Sequence, residues 1–463
     1  MQPGTEQVLT VAQMRAAEEA LIAGGETVDS LMQVAGKGAA EWVWRVAAGR
    51  PATVLCGPGN NGGDGYVIAE TLRRRGLPVT VAAPVEPKTG AAQRARAAYG
   101  GPIVENGKGG VLVDCLFGSG LTRPLGPELA GLLAELARHH PYRVAVDLPS
   151  GVESDSGALL DEDLPNYHLT IALGAWKFAH WLMPAMARMG ERRLVPIGAG
   201  RVAGAAALLA RPHFAAPPMN AHKYTRGLVL VVGGGMVGAS VLACESATRA
   251  GAGAVRLTST HPHPAAPADV VLKEEPLGEL LADERTDAVL IGPGLGLDDH
   301  AKQRSVCALQ ADLPTVADAD ALTLLTPSAI EGRWAPLILT PHAGEMARLA
   351  KSFAIEAEGK VATARGLALA ADAVVVAKGP DTVIAAPDGR VALAPSPTSW
   401  LAVAGTGDVL AGIAASRLAA MHDPFGAACE AVWLHGEAAR QAGPAFVASD
   451  LAKSVSGAYA AAL

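Results

Sequence analysis

Three stretches in the first half of the chain set oxygen-bearing side chains among glycines, each directly after an apolar run. Thr53 to Cys56 leads into Gly57-Pro58-Gly59-Asn60-Asn61-Gly62-Gly63-Asp64-Gly65 and then the apolar Tyr66 to Leu72. Val111 to Val113 leads to Asp114 and on to Gly118-Ser119-Gly120-Leu121-Thr122-Arg123-Pro124, and Val144 to Val146 leads to Asp147-Leu148-Pro149-Ser150-Gly151. Glycines let a backbone approach a ligand, and amides at a helix start suit phosphate. The first stretch has the spacing of neither a dinucleotide GxGxxG nor a Walker loop. Its two Asn and one Asp among five Gly still supply more oxygen ligands than a turn requires. In open parallel sheets ligands sit beyond the carboxyl ends of the strands, so Asn61, Asp114, Asp147 and Ser150 can converge although they are far apart in sequence. Each Asp taken alone also reads as a loop cap.

The second half carries a different set. Ala404-Gly405-Thr406-Gly407-Asp408-Val409-Leu410-Ala411-Gly412 puts a glycine loop before an apolar helix, where unpaired amides can hold a developing oxyanion. Asp408 falls in the first turn and suits either the helix dipole or a general base for phosphoryl transfer. Ile291-Gly292-Pro293-Gly294-Leu295-Gly296 closes a strand with three glycines. Leu339-Thr340-Pro341-His342-Ala343-Gly344-Glu345 places a His and a Glu at a strand-to-helix turn, as ligands or as caps. Val376-Ala377-Lys378-Gly379-Pro380-Asp381-Thr382 offers a Lys to phosphate, and Asp318-Ala319-Asp320 offers carboxylates to magnesium. His261-Pro262-His263 has no partner at recognised metal spacing and reads as loop. His139-His140 reads as a pair favouring a helix dipole, and Trp42 and Trp44 divide between core and surface.

The elements that position these groups follow from periodicity. From Thr53 onward short apolar runs at 53–56, 79–82, 111–115, 143–147 and 169–173 alternate with helix-compatible stretches, the rhythm of a mostly parallel sheet. Val8 to Val46 reads as helical. The rhythm lapses between Gly198 and Pro218 and resumes at 228–232, 254–258, 288–291, 337–339, 374–377, 382–385 and 391–394, with a helical end from Thr406. This is two α/β domains, residues 1–212 and 218–463, with no fixed-period repeat.

The chain has 463 residues, 38 Lys+Arg against 45 Asp+Glu, and half its residues are hydrophobic. With no basic block, a nucleic-acid partner is not expected. Five dispersed cysteines read as reduced core residues, and the start carries no secretory pattern, so a cytoplasmic protein is expected. Gly227 to Cys244 carries no charge, but its glycine run reads as strand, turn and helix rather than a membrane span. Ala-rich helices with few charges suggest a homo-oligomer.

Together GPGNNGGDG, DCLFGSGLTRP and VDLPSGV resemble the N-terminal epimerase domain of bifunctional NAD(P)H-hydrate repair enzymes, over about Val8 to Gly198. The resemblance implies a Rossmann-like three-layer αβα domain that interconverts the R and S forms at C6 of hydrated NADH or NADPH. It implies a potassium ion on Asn61, Asp114 and Ser150. Nucleotide would lie on Asn60, Asn61, Gly62, Gly63, Asp64 and on Gly118, Ser119, Gly120, Leu121, Thr122, Arg123 and Pro124, with Asp147 the acid/base at the reacting centre. One departure is Gln33-Val34, where the family usually has Glu then Asn.

In the same way His222-Lys223, Gly233-Gly234-Gly235, GPGLG, DADAL, TPHAGE, AKGPDT and GTGDVLAG resemble the ribokinase-like dehydratase of that repair, over roughly Pro218 to Leu463. The resemblance implies ADP- or ATP-driven removal of water from the S hydrate with magnesium, ADP being the bacterial donor. Asp408 would activate the C6 hydroxyl, Gly294 and His342 would contact the hydrate, and Lys378, Gly379, Pro380, Asp381, Thr382 and Gly407 would bind the adenine nucleotide. Ala343 and Thr323 depart from the usual Pro and Asn. The alternatives are a ribokinase-like small-molecule kinase that stops at the phosphate ester, a first domain that binds nucleotide without catalysis, and an interaction protein with vestigial sites.

Overall fold

Apolar runs of four or five residues without polar alternation cannot stay in water on either face, so a sheet made of them needs helices on both sides. That arrangement occurs twice. The computed structural model describes residues 6–261, 266–421 and 423–463, and the chain divides into two compact units, Met1–Ala207 and Leu208–Leu463.

In the first unit the elements are β1 (Gln7–Leu9), α1 (Val11–Ala23), α2 (Val28–Ala47), β2 (Ala52–Cys56), α3 (Asn60–Arg74), β3 (Val79–Ala82), α4 (Gly90–Ala98), β4 (Ile103–Val104) and β5 (Val111–Cys115). They continue with α5 (Pro127–His139), β6 (Tyr142–Val146), β7 (Leu169–Leu173), β8 (Trp176–Lys177), β9 (Glu191–Val195) and β10 (Ala206–Leu208). Seven strands form one parallel sheet in the order β4-β3-β2-β5-β6-β7-β9. Alternate residues feed two cores. Val54, Cys56, Val111, Val113 and Cys115 pack with α2 and α3, while Leu55 and Leu112 pack with Leu133 and Leu136 of α5. This is the three-layer αβα arrangement. Five strands of this unit were not legible: β4, β8 and β10, each of only two or three residues, β1, at the start of the segment read as helical, and β9, whose Glu-Arg-Arg opening lacks the apolar run that marks an interior strand.

The glycine motif also departs from expectation. It is not a loop ahead of the helix, because α3 begins at Asn60 and takes in Asn61, Gly62, Gly63, Asp64 and Gly65. These glycines serve close packing: a Cβ on Gly62 would stand 1.9 Å from the Gly57 carbonyl oxygen. His140 is a further correction. It is buried, with Nδ1 at 2.7 Å from the Leu136 carbonyl and Nε2 at 2.9 Å from Thr53 Oγ1, and burial lowers its basicity, so it is a core ring rather than a dipole cation.

The second unit runs β11 (Leu228–Val232), α6 (Val237–Arg249), β12 (Ala254–Thr258), β13 (Val270–Lys273), α7 (Leu277–Leu281), β14 (Ala288–Ile291), α8 (Asp299–Gln310), β15 (Thr315–Ala317), α9 (Asp320–Leu324) and β16 (Leu337–Leu339). It ends with α10 (Ala343–Ser352), α11 (Lys360–Ala371), β17 (Val374–Ala377), β18 (Asp381–Ala385), β19 (Val391–Pro395), α12 (Thr406–Ala420), α13 (Pro424–Ala442) and α14 (Ala448–Ala460). The strand order is β13-β12-β11-β14-β15-β16-β17-β18-β19. It is parallel from β13 to β17, and the last two pairings are antiparallel. Val229 and Val231 face a core shared with α6, α12, α13 and α14, and their neighbours Leu228, Leu230 and Val232 are fully buried as well. The charge-free Gly227 to Cys244 is therefore β11, a turn and the start of α6. No helix among the described residues is long and apolar enough to cross a membrane. Pro262 and His263 lie outside the described residues.

Candidate active sites

In the first unit, β2 has β3 on one side and β5 on the other. The point where the strand order reverses lies between β2 and β5, the place in an open parallel sheet where ligands gather at the carboxyl edge. Four strand ends open on it. Asp114, last but one in β5, is fully buried, and four neutral donors hold it: Ser150 Oγ at 2.7 Å, Tyr167 Oη at 2.5 Å, and the amides of Leu116 and Ser150 at 3.1 Å. Burial outweighs these bonds and pushes its carboxyl up. Asn61, on the first turn of α3, has both side-chain amide atoms buried without a hydrogen-bond partner.

Asp147 follows β6 with φ at +65°, a left-handed conformation that costs a non-glycine residue energy and clusters at functional sites. Its backbone is pinned on both sides. The amide donates to the Ile171 carbonyl at 2.7 Å, and the carbonyl accepts from His180 Nε2 at 2.7 Å. Its Oδ2 accepts from the Ser119 amide at 2.8 Å, and its Oδ1 pairs with Lys177 Nζ at 2.6 Å. Burial raises the proton affinity of this group, but the Lys177 charge and hydrogen bond outweigh burial and hold Asp147 below the ordinary carboxylate range. His180 is pushed down to about 4, chiefly by burial, so it is a neutral donor. Gly118 shows how tightly the loops meet: a Cβ there would lie 2.7 Å from Asp147 Oδ2 and 3.3 Å from Asn61 Cγ.

Asn61, Asp114, Asp147, Ser150, Gly118 and Ser119 are thus brought together. Thr122, Arg123 and Pro124 stand exposed on the same loop, and the exposed Asn60 accepts from Thr89 Oγ1 at 2.7 Å. Three buried residues were missed from sequence, Tyr167, Lys177 and His180. Lys177 stands four residues beyond the end of β7 and could have been found by the strand-end rule that singled out Asp114 and Asp147.

In the second unit the turns after β11, β14, β15, β16 and β17 are tied edge to edge. The Met236 amide donates to the Gly294 carbonyl at 3.1 Å, the Lys378 amide to Pro341 at 2.8 Å, and the Gly296 amide to Asp320 Oδ2 at 2.8 Å. Gly294 must be glycine: its φ is +68°, and a Cβ would meet the Met236 carbonyl oxygen at 2.2 Å. Lys378 Nζ pairs with buried Asp318 at 2.6 Å, and Thr340 Oγ1 donates to the same Asp318 oxygen at 2.8 Å.

Helix α12 begins beside this pair, because a Cβ on Gly407 would sit 3.4 Å from Lys378 Nζ and 3.9 Å from Asp318 Oδ2. Gly405 takes φ +89° to start the helix, and buried His435 donates from Nε2 to the Thr406 carbonyl at 2.9 Å. Burial pushes His435 down to about 4, which keeps it a neutral strut. Asp408, on the first turn, is raised to about 6 by burial and then by the Asp318 charge, with Lys378 acting against them. A carboxylate poised near neutrality beside a glycine-rich helix start and a lysine can take a proton from a hydroxyl that is being phosphorylated.

Two residues of this set have other engagements. His342 caps α10, its Nδ1 accepting from the Gly344 amide at 3.0 Å while the side chain remains largely exposed. The Asp381 carboxylate is engaged by Lys360 Nζ at 2.5 Å.

Comparison with known proteins bears on both units. A family model described as NAD(P)H-hydrate dehydratase matches residues 229–459, and one described as YjeF-related protein N-terminus matches residues 28–179. The bifunctional NAD(P)H-hydrate repair enzyme Nnr of Gloeobacter violaceus is 34% identical, with 92% of each chain covered. The protein of the same description from Mycobacterium leprae is 35% identical with 93% of each covered. Among solved structures, the ADP/ATP-dependent NAD(P)H-hydrate dehydratase from Bacillus subtilis, co-crystallised with ATP and magnesium, is 29% identical, covering 54% of this chain and 95% of that one at a TM-score of 0.48. The two units, each with its own strand-end site, and the likeness to Nnr proteins along nearly the whole chain lead to one conclusion: the chain belongs to the family of bifunctional NAD(P)H-hydrate repair enzymes.

Proposed function

We infer that this chain restores hydrated nicotinamide cofactors, the first unit epimerising the hydrate at C6 and the second dehydrating the S form at the expense of ADP or ATP. The observation that carries the reading is the pairing of two carboxylates with opposite surroundings. Asp147 is kept ionised by Lys177, and Asp408 is held near neutrality beside a glycine-rich helix start.

In the first unit Asp147 exchanges a proton with the C6 hydroxyl, while the α3 start and the Gly118 to Pro124 loop hold the nucleotide. Asn61, Asp114 and Ser150 fit a potassium ion. The Asn61 oxygen is buried without a donor, and buried Asp114 has only neutral hydrogen-bond partners, so a hard monovalent cation satisfies both. Such an ion would supply fixed positive charge between the loops that carry Asp114 and Ser150.

In the second unit Asp408 accepts the proton of the C6 hydroxyl as that oxygen takes the terminal phosphoryl group of the nucleotide. Phosphate then leaves C6 far more readily than hydroxide as the N1 lone pair forms N1=C6, and loss of a C5 proton to solvent gives the C5=C6 double bond. Lys378 and the Gly407 amide attract the phosphates, and His342 and Gly294 face the hydrate. Asp318 and Asp320 fit magnesium, directly or through water, and magnesium would neutralise charge on the transferring group.

The test is recovery of dihydronicotinamide absorbance from an R/S mixture of NADHX or NADPHX with magnesium and potassium, adding ADP or ATP in parallel. Full nucleotide-dependent recovery is expected. Recovery of the S fraction alone would remove the epimerase half, and a stable phosphate ester without recovery would make the second unit a kinase.

A further inference from the structure

We propose that Asp64 is a second catalytic group of the first unit, the acid that protonates the departing C6 hydroxyl while Asp147 acts as base. The proposal rests on the epimerase reading above. Asp64 lies one helical turn beyond Asn61 on α3, and its side chain lines a cleft with Glu18, Leu31, Met32, Asn60 and Leu173. The carbonyl of Leu173 accepts from Lys177 Nζ at 2.5 Å, and that same ammonium holds Asp147. Asn61 and Asp147 meet around Gly118. Asp64 thus faces a cleft whose Leu173 wall adjoins the Lys177–Asp147 pair.

Their surroundings are opposite. Asp64 is only 8% exposed and has neither a hydrogen bond nor an ion pair among the described residues, a setting that favours the neutral acid. Burial, then the charges of Asp147 and Glu18, push Asp64 well above the carboxylate range, with Lys177 the opposing charge. Glu18, facing the cleft from α1, is itself raised by burial. Two carboxyl groups at one site with their proton affinities driven apart are suited to be acid and base.

The step balances without a further reactant. Asp64 gives its proton to the C6 oxygen, the C6–O bond breaks, and the N1 lone pair forms an N1=C6 double bond. Water then adds to the other face of C6 and loses its proton to Asp147. One water leaves and one returns, the configuration inverts, and the net change on the protein is a proton moved from Asp64 to Asp147, which solvent restores.

The test measures R/S interconversion of NADHX by the full-length chain without ADP or ATP, across pH and above the spontaneous rate. Wild-type kcat should fall on the alkaline side as Asp64 ionises. Asp64→Asn should lower kcat by about 10²- to 10⁴-fold and should remove the alkaline limb. Asp64→Glu should restore part of the rate. Glu18→Gln removes one like charge, so it should move that limb to lower pH, and this variant decides the matter if Asp64→Asn does not fold. Wild-type kcat in Asp64→Asn, or an unmoved limb in Glu18→Gln, would overturn the proposal with the epimerase reading intact. A wild-type chain that does not interconvert the epimers would overturn both.

Discussion

Asp408 and Asp147 begin from the same side chain, and burial raises the proton affinity of each. What separates them is where the nearest lysine spends its charge. Lys177 is committed to Asp147 at 2.6 Å, whereas Lys378 is committed to Asp318 and acts on Asp408 only from a distance. In its proposed role of base Asp408 must be ionised, so kcat/KM for dehydration should fall as pH drops through about 6, approaching about tenfold per pH unit below it. Asp318→Asn removes a negative neighbour and frees Lys378, and both changes lower the affinity of Asp408 for its proton. The limb should therefore move to lower pH, which a pH–rate series on S-NADHX would read. An upward shift would contradict this account of Asp408.

The Lys177–Asp147 pair makes a stability prediction of the same kind. Removing one partner of a buried ion pair leaves an uncompensated charge, a loss of about 3–5 kcal/mol. Lys177→Met should lower the denaturation midpoint, and adding Asp147→Asn should recover part of the loss. Asp147 is depressed in the folded chain, so the stability it contributes is present above its ordinary carboxylate range and is lost as pH falls through its lowered value. Equal midpoints for the wild type and Lys177→Met would mean the pair contributes nothing.

At the scale of elements, the decisive feature of the first unit is that α3 starts inside its glycine motif. The helix can seat so close to the turn after β2 only because Gly62 has no side chain, and its neighbour there is backbone: Gly57 O at 1.9 Å and Gly57 C at 2.6 Å from the missing Cβ. Gly63 differs, since the nearest obstacles to a Cβ are the flexible Met32 Cε and Sδ, at 2.4 and 2.7 Å. Gly62→Ala must move the helix start, costing about 1–3 kcal/mol and weakening hydrate binding. Gly63→Ala should cost less on both counts. Thermal melts and epimerase KM on the two variants test the ordering, and the reverse order would refute the packing argument.

For the whole molecule, each unit carries its own buried carboxylate and lysine cluster, so damage should stay local. Asp408→Asn should abolish dehydration and leave R/S interconversion intact. Asp147→Asn should do the reverse, so that an R/S mixture with ADP yields cofactor from the S fraction and then continues only at the spontaneous epimerisation rate. Chiral chromatography together with absorbance recovery separates these outcomes. Loss of both activities in either variant would exclude two independent sites.

The sequence by itself determined the class of fold and the strand ends where chemistry gathers, because a buried parallel strand must be an unbroken apolar run and its polar residues must wait for the turn that follows. Asp114, Asp147 and Ser150 were legible for that reason, Asp408 from the glycines that precede an apolar helix, and the alternation of strand and helix was legible in both units. The edge strand β9 was not, since its Glu-Arg-Arg opening breaks the apolar pattern, and β1 was hidden by the helical segment around it. Tertiary structure alone decided who partners whom. That Lys177 belongs to Asp147, Lys378 to Asp318, Lys360 to Asp381 and Tyr167 to Asp114 depends on contacts across 21 to 60 positions, which no local pattern encodes. The same contacts set the protonation of each carboxyl group, because burial and the nearest charge are properties of the folded chain and not of its order.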